Sequence, residues 1–209
     1  MQISKLQYVS AQAGQQTHLQ VIEAICVAGG KWIQLRLKGE TPAEVLQIAH
    51  KAKAICRDHG ATFILNDYPG IARSVEADGV HLGKLDTPHR EARKIIGNDM
   101  ILGGTANTME DIRHYAREGI VDYIGLGPFR YTNTKQNLSP ILGLEGYEKI
   151  IKCCKAEEID LPIVAIGGIL LEDIPEIMEM GVHGIAISGL LTKSKQKKEL
   201  ISTIHGMLE

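Results

Sequence analysis

Long apolar runs are the first thing this sequence lacks. No stretch approaches the roughly 18–20 consecutive apolar residues that span a bilayer, and the opening segment MQISKLQYVSAQAG has no signal-peptide core. A cytoplasmic chain with no membrane partner is expected. Aromatic side chains are scarce, 4% of the total with one Trp and two Phe. The core has to be built mostly from Ile, Leu, Val and Ala. Charge of one sign is lacking too: 23 Lys and Arg stand against 25 Asp and Glu, a net charge of −2. That balance gives no reason to expect a nucleic acid or a polybasic membrane contact. The four cysteines, Cys26, Cys56, Cys153 and Cys154, form no C-x-x-C pair, and they read as buried or helix-surface thiols in a reducing compartment. There is no linker, internal repeat or low-complexity tract. No nucleophile elbow of the Ser hydrolases is present.

What is present is ordinary globular composition, 44% apolar and 23% charged over 209 residues. Short apolar runs alternate with segments of helical period. The runs are QYVSA (7–11), WIQLRLK (32–38), TFILND (62–67), GVHLG (79–83), MILGGT (100–105), YIGLGP (123–128), PIVAIGG (162–168) and GIAISG (184–189). After the second run, Val45, Ile48, Ala49, Ala52, Ile55 and Cys56 fall on one helix face. That helix opens Thr41-Pro42-Ala43-Glu44, a hydroxyl cap, a first-turn Pro and a Glu at the third position. Thr87-Pro88 and Thr108-Met109-Glu110-Asp111 repeat the grammar. Gly29-Gly30, Gly60, Gly97, Gly119 and Gly181 sit where helices should stop. Strand–helix units without hairpin signals predict a parallel sheet. An open doubly wound sheet would fit, but eight units favour an α/β fold closed as a single (β/α)8 TIM barrel over residues 1–209. One connection is long, 129–143, and a long loop in a lean fold usually has a job.

Polar residues collect at one end of the predicted strands. In the second run, Ile33, Leu35 and Leu37 share one face and Gln34, Arg36 and Lys38 the other. The apolar face suits the outer helices, so the polar face points into the barrel or to its top. Two cations there need carboxylates or the phosphates of a ligand as partners. The third run ends Asn66-Asp67, and Asp86 follows the fourth. Neighbouring parallel strands bring these carboxylates towards one rim. Few oxygen ligands beside a cationic patch suit Mg2+ that also binds substrate phosphates. Val80 and Leu82 turn His81 inward. The fifth run ends Gly103-Gly104-Thr105, where glycines allow close backbone approach and Thr105 offers a hydroxyl. In the long loop, Thr132, Thr134 and Lys135 form a phosphate-binding set without a Walker motif. Gly167-Gly168 and Ile187-Ser188-Gly189 end the last two runs, where barrels commonly hold a phosphate on backbone N–H groups. Two anionic sites follow, one basic and metal-assisted, the other built from hydroxyls and backbone. The chemistry is that of a metal-assisted enzyme acting on a diphosphate and a second phosphorylated molecule. Schiff-base chemistry is disfavoured, since YIGLGP carries no lysine.

The motifs QLRLK, ND, ADGVHLG-x-x-D, GPxxxTxTK and AIGGI, in that order over nearly the whole chain, resemble the thiamine phosphate synthase family. The resemblance implies a (β/α)8 barrel. It implies a transferase that joins 4-amino-5-hydroxymethyl-2-methylpyrimidine diphosphate to 4-methyl-5-(2-hydroxyethyl)thiazole phosphate, giving thiamine phosphate and pyrophosphate. By position, Arg36, Lys38, Asn66 and Lys135 would hold the leaving pyrophosphate, with Arg36, Lys38 and Lys135 as the catalytic cations. Asp67 and Asp86 would hold Mg2+. Gln34, Thr105 and His81 would line the pyrimidine side. Thr132, Thr134, Gly168, Ile187 and Ser188 would cradle the thiazole phosphate. The chain departs from the family pattern at Thr105, where Ser is usual, at Lys84, where Gln is common, and at Asn137, where Asp is common. Arg130 and Tyr131 replace a more apolar stretch, and Arg130 could touch phosphate or only face solvent. Three rivals stay open: a thiazole tautomerase using His81 or His183 as acid/base, a non-catalytic thiamine-pathway binding protein, and a sugar-phosphate barrel enzyme. The partners expected are small molecules, with a homo-oligomer left open.

Overall fold

Each short apolar run becomes a strand because its β-branched and aliphatic residues can be buried on both faces, as a parallel sheet covered by helices requires. A computed structural model describes residues 3–131 and 140–209. Thr132, Thr134, Lys135 and Asn137 lie outside the described residues. The strands are β1 (Leu6–Val9), β2 (Trp32–Leu35), β3 (Thr62–Asn66), β4 (Gly79–Leu82), β5 (Ile101–Ala106), β6 (Tyr123–Leu126), β7 (Ile163–Ile166) and β8 (Gly184–Ile187). Each pairs in parallel with its sequence neighbours, and β1 pairs with β8 to close the barrel. The helices are α1 (His18–Val27), α2 (Pro42–Asp58), α3 (Pro69–Ser74), α4 (His89–Ile96), α5 (Met109–Glu118), α6 (Gly143–Ala156), α7 (Ile174–Glu179), α8 (Gly189–Lys193) and α9 (Lys197–Met207). The predicted (β/α)8 fold is observed. No helix among the described residues is long and apolar enough to cross a membrane.

Strand alternation divides the apolar side chains into two clusters. Val9, Trp32, Ile64, Ile101, Tyr123, Val164 and Ala186 point inward and fill the barrel with Ile3. Ile33, Leu35, Phe63, Leu65, Val80, Leu82, Leu102, Ile124 and Leu126 point outward and pack under the helices. The face of α2 read from its period is the buried one, with Val45, Ala49, Ala52 and Cys56 inside and Ile48 and Ile55 partly buried.

The caps on α2 and α5 form as expected. Thr41 with Glu44 and Thr108 with Asp111 each make a reciprocal capping box. An unexpected third box, Thr17 with Gln20, opens α1. Thr87 does not cap α4. Pro88 takes that position at φ −52° and ψ 133°, and no side chain bonds the first turn. One element goes beyond the alternation: α9 follows the short α8 and packs against α1 and α7, burying Ile201 and Ile204.

The second run is shorter as a strand than its sequence suggested. The β1–β2 ladder reaches Gln34 and is continued by the Ser10 N–H donating to the Gln34 carbonyl at 2.8 Å. One step later the partner is a side chain: the Arg36 N–H donates to Ser10 Oγ at 3.0 Å. Arg36 and Lys38 therefore stand beyond the strand, on the rim.

Candidate active site

The C-terminal ends of the strands form that rim. From β3, the ladder carries the Asp67 N–H to the His81 carbonyl at 2.9 Å, while the Asp67 backbone turns left-handed at φ 63°. Tyr68 follows at φ 53°. A bulky residue at positive φ is an uncommon, costly conformation. Pro69 then starts α3. From β4, Gly83 to Asp86 make a tight turn in which the Gly83 N–H donates to Asp86 Oδ2 at 2.6 Å.

The structure brings Asp67 and Asp86 within hydrogen-bonding reach of each other. Burial, followed by the neighbouring Asp86 carboxyl, pushes Asp67 up to about 6, against the pull of Lys38. For Asp86, burial acts upward but is outweighed by the bonds from Asp67 and the Gly83 N–H and by Lys38 and His81, so it lies below the ordinary carboxylate range. One buried oxygen of this pair, Asp67 Oδ1, has no hydrogen-bond partner. Two carboxylates held together with an orphaned oxygen are a fit for a hard divalent cation. Among the described residues no group of three His, Cys, Asp or Glu could hold a metal alone. Mg2+ suits such a set, since it is usually bound by one or two carboxylates plus substrate phosphates.

The cations surround this pair. Lys38 Nζ lies 2.6 Å from Asp67 Oδ2, with its side chain 53% exposed and that of Asp67 14%. Burial draws the Arg36 guanidinium down from its ordinary value, opposed by Asp67 and Asp86. Lys84 bonds Asp111 at 2.5 Å, tying the β4 loop to the cap of α5. Asn66 is buried beside His81 in the β3–β4 register.

Beneath the rim the inward polar residues are joined. Gln34 Nε2 donates to Gln7 Oε1 at 3.2 Å, and Gln7 Nε2 donates to Tyr123 Oη at 3.2 Å. Tyr123 Oη is 3.0 Å from His81 Nδ1, and His81 Nε2 is 3.0 Å from Thr105 Oγ1. His81 thus faces inward as its strand pattern required. Gly103 does not serve close approach of a ligand. A Cβ there would lie 2.5 Å from His81 Nδ1 and nearer still to the Tyr123 ring. Gly104 faces outward, where Tyr115 and His89 occupy the space.

On the opposite arc, Gly168 has φ 71°, and an added Cβ would meet the Tyr131 carbonyl at 2.9 Å. Arg130 does not reach towards a phosphate. Its Nη1 bonds the Gly168 carbonyl at 3.0 Å and Asp173 Oδ2 at 2.7 Å, and its Nη2 bonds Asp173 Oδ1 at 2.8 Å. Asp173 also accepts from the Leu170 N–H at 2.7 Å. Ile187 ends β8 with its side chain in the outer core. Ser188 follows, and its Oγ is buried without a hydrogen-bond partner. His183 belongs elsewhere. It precedes β8, and its Nε2 lies 2.8 Å from the Ile3 carbonyl at the opposite end of the barrel.

Sequence reasoning missed Gln7, Tyr123 and Ser10. A Gln inside an apolar run was the available signal for Gln7. The partner of Tyr123 lies on another strand and no local pattern announces it.

Fold and rim together define a class: (β/α)8 barrels whose strand C-terminal ends carry cations, paired carboxylates and unsatisfied polar oxygens. Within that class, a family model described as thiamine monophosphate synthase matches residues 6–191. A thiamine-phosphate synthase of Flavobacterium johnsoniae is 46% identical over 98% of this chain and 96% of its own length. One from Phocaeicola vulgatus is 53% identical over 80% of both chains. A solved thiamine phosphate pyrophosphorylase from Pyrococcus furiosus superposes with a TM-score of 0.83 at 27% identity, covering 98% of this chain and 97% of that one. The chain belongs to the thiamine monophosphate synthase family.

Proposed function

We propose that this chain, acting as one barrel domain, is a transferase that couples 4-amino-5-hydroxymethyl-2-methylpyrimidine diphosphate to 4-methyl-5-(2-hydroxyethyl)thiazole phosphate, releasing pyrophosphate and forming thiamine phosphate. The observation that carries the reading is the pair Asp67–Asp86 with its orphaned oxygen, set among Arg36 and Lys38 in a chain of this family. The tautomerase alternative loses His183, which lies at the far end of the barrel.

In this reading the methylene C–O bond breaks with its electron pair going to pyrophosphate, and the thiazole nitrogen lone pair forms the new C–N bond. No proton has to move, so no general base is needed. Arg36, Lys38, Asn66 and Lys135 bind the leaving group and stabilise the negative charge as it develops. Asp67 and Asp86 would hold Mg2+, which when bound would supply Lewis-acid stabilisation of the leaving group. Lys38 lies 2.6 Å from Asp67, in the cluster proposed to receive the diphosphate. Gln34, His81 and Thr105 line the pyrimidine. Gly168, Ile187 and Ser188, with Thr132 and Thr134, hold the thiazole phosphate, and the buried Ser188 hydroxyl is an open donor for it.

The test is direct. Purified protein is mixed with both substrates in Mg2+ or in EDTA, and thiamine phosphate is read as its fluorescent thiochrome. Product in Mg2+ and none in EDTA is expected. Folded protein that yields none in either overturns the reading.

A further inference from the structure

The sequence leaves Arg130 either touching phosphate or only facing solvent, and in the structure it does neither. Past the end of β6, the segment 128–131 runs against 166–168. The Phe129 N–H donates to the Ile166 carbonyl at 2.9 Å, and the Arg130 N–H donates to the Gly167 carbonyl at 2.8 Å. The Arg130 side chain takes the next carbonyl in the row, that of Gly168, at 3.0 Å. Both glycines are required by this close approach. A Cβ on Gly167 would lie 2.8 Å from Pro128 Cα, and one on Gly168 would lie 3.0 Å from Arg130 Cβ. The guanidinium is itself fixed. Its Cζ lies 5.4 Å from the centre of the Phe129 ring, and its two Nη atoms fork onto Asp173 at 2.7 and 2.8 Å. Asp173, largely buried, also accepts from the Leu170 N–H, so the same carboxylate holds the far side of the 168–170 turn.

We propose that Arg130 and Asp173 are positioning residues for the thiazole phosphate: their fork holds the Gly168 carbonyl and so aims the N–H groups of Gly168 and Ile169 at the anion. The inference rests on the thiazole-phosphate reading of Gly168 above. In a planar trans peptide the carbonyl and the N–H that follows it point in opposite directions. Holding the Gly167 and Gly168 carbonyls towards residue 130 therefore turns the Gly168 and Ile169 N–H groups away from it. Neither N–H has a hydrogen-bond partner among the described residues. Ile169 is 6% exposed, and a buried backbone N–H without a partner is rare in a folded chain. Barrels commonly bind a phosphate on backbone N–H groups at this loop and the next. A Gly-Gly pair at φ 103° and 71° has no side chain of its own to fix its peptides. The hold has to come from outside, and a planar guanidinium fork can grip a carboxylate and a carbonyl at once. The charge of Arg130 is spent on Asp173 and stays off the phosphate. What reaches the ligand is the direction of two backbone donors.

Two readouts test this. The first is titration of the 15N-labelled, ligand-free protein with thiazole phosphate alone, followed at the amide peaks of Gly168 and Ile169. In wild type both peaks are expected to move. Arg130→Met and Asp173→Asn are each expected to raise the dissociation constant about tenfold. The double variant is expected to raise it no further, because each single change already opens the same fork. The second is the split between Michaelis constants. The KM for thiazole phosphate is expected to rise by the same factor in each variant, with the KM for the pyrimidine diphosphate unchanged. Asp173→Asn separates aim from charge, since it releases the guanidinium and leaves the cation in place. Binding that is kept or tightened in Asp173→Asn but lost in Arg130→Met means the cation holds the phosphate directly, and this overturns the proposal. So do folded variants that bind as wild type does, which would leave the fork a role in the fold alone, and so does a wild type whose two amide peaks do not respond. Because the titration needs no turnover, a failed thiochrome assay beside the expected titration removes the reaction and leaves the positioning role.

Discussion

At the scale of single residues, the site is defined by polar atoms whose partners are missing and by others whose partners are unexpected. Ser188 is the clearest case of the first kind. Its hydroxyl is buried, unpaired and makes no cap bond to α8. Removing an unsatisfied buried hydroxyl costs little or is stabilising, whereas losing a bond to a charged ligand group costs roughly 1.5–3 kcal/mol. Ser188→Ala is expected to leave the thermal midpoint unchanged or raised while the KM for thiazole phosphate rises about tenfold or more. A lowered midpoint with an unchanged KM would mean the hydroxyl serves the fold. Arg36 is the opposite kind, a cation placed by its backbone bond to Ser10 and drawn into the field of Asp67 and Asp86. Losing one such charge-stabilising donor typically costs about 2.7–4 kcal/mol of activation energy. Arg36→Ala is expected to lower kcat by at least ~100-fold, measured with both substrates saturating. A near-wild-type rate contradicts the pyrophosphate role.

At the scale of elements, the strands were legible because burial on both faces leaves an uninterrupted apolar run, and the caps on α2 and α5 were legible because their chemistry is local. One failure was also local. Thr87 resembles Thr41 in sequence, yet Pro88 sits at the cap with an extended ψ and leaves Thr87 outside it. The end of β2 was not legible because Ser10, from the previous strand, supplies the bond that replaces the ladder. The inward turn of Gln34 and His81 followed from a period of two, but their linkage through Gln7 and Tyr123 depends on barrel closure. Glycines separate these cases in a testable way. Gly103→Ala drives a methyl into His81 and Tyr123, and overpacking of this kind costs about 1–3 kcal/mol. Gly70, exposed in α3 with nothing within 4 Å of a new Cβ, should gain roughly 0.4–1 kcal/mol on replacement by Ala. Urea midpoints of the two variants are expected to move in opposite directions. The Arg130 clamp on Asp173 belongs to this scale as well. It ties the loop after β6 to the loop after β7. A double-mutant cycle with Arg130→Met and Asp173→Asn should give a coupling at or above the roughly 0.2–1 kcal/mol of exposed pairs, because the Asp173 side chain is only 11% exposed.

At the scale of the whole molecule, a closed eight-stranded barrel has no free sheet edge, but its outer layer still has to be covered all round. Around β8 that cover includes α9, which lies beyond the residues matched by the family model. Ile201, Ile204 and Leu208 are buried there. Fully burying one such side chain contributes about 1.5–3 kcal/mol, and a folded domain has only about 5–15 kcal/mol in total. A chain ending at Ser194 is therefore expected to lose its cooperative thermal transition, followed by circular dichroism. Retention of a sharp transition near the wild-type midpoint would show that the barrel closes without its last helix. This dependence was hidden in the sequence, because a ninth helix has no place in a strand–helix count of eight.

The interlock of Gly103 with His81 and Tyr123 has a consequence for descent rather than for chemistry. A side chain at 103 collides with both rings, so the three positions are not free to drift one at a time. A lineage that replaces the glycine while keeping both rings bears the overpacking cost of about 1–3 kcal/mol, so the replacement is easiest once the tyrosine or the histidine has been given up. Related chains should therefore divide mainly into those with all three and those that have lost the glycine together with a ring, with the intermediate combination rare.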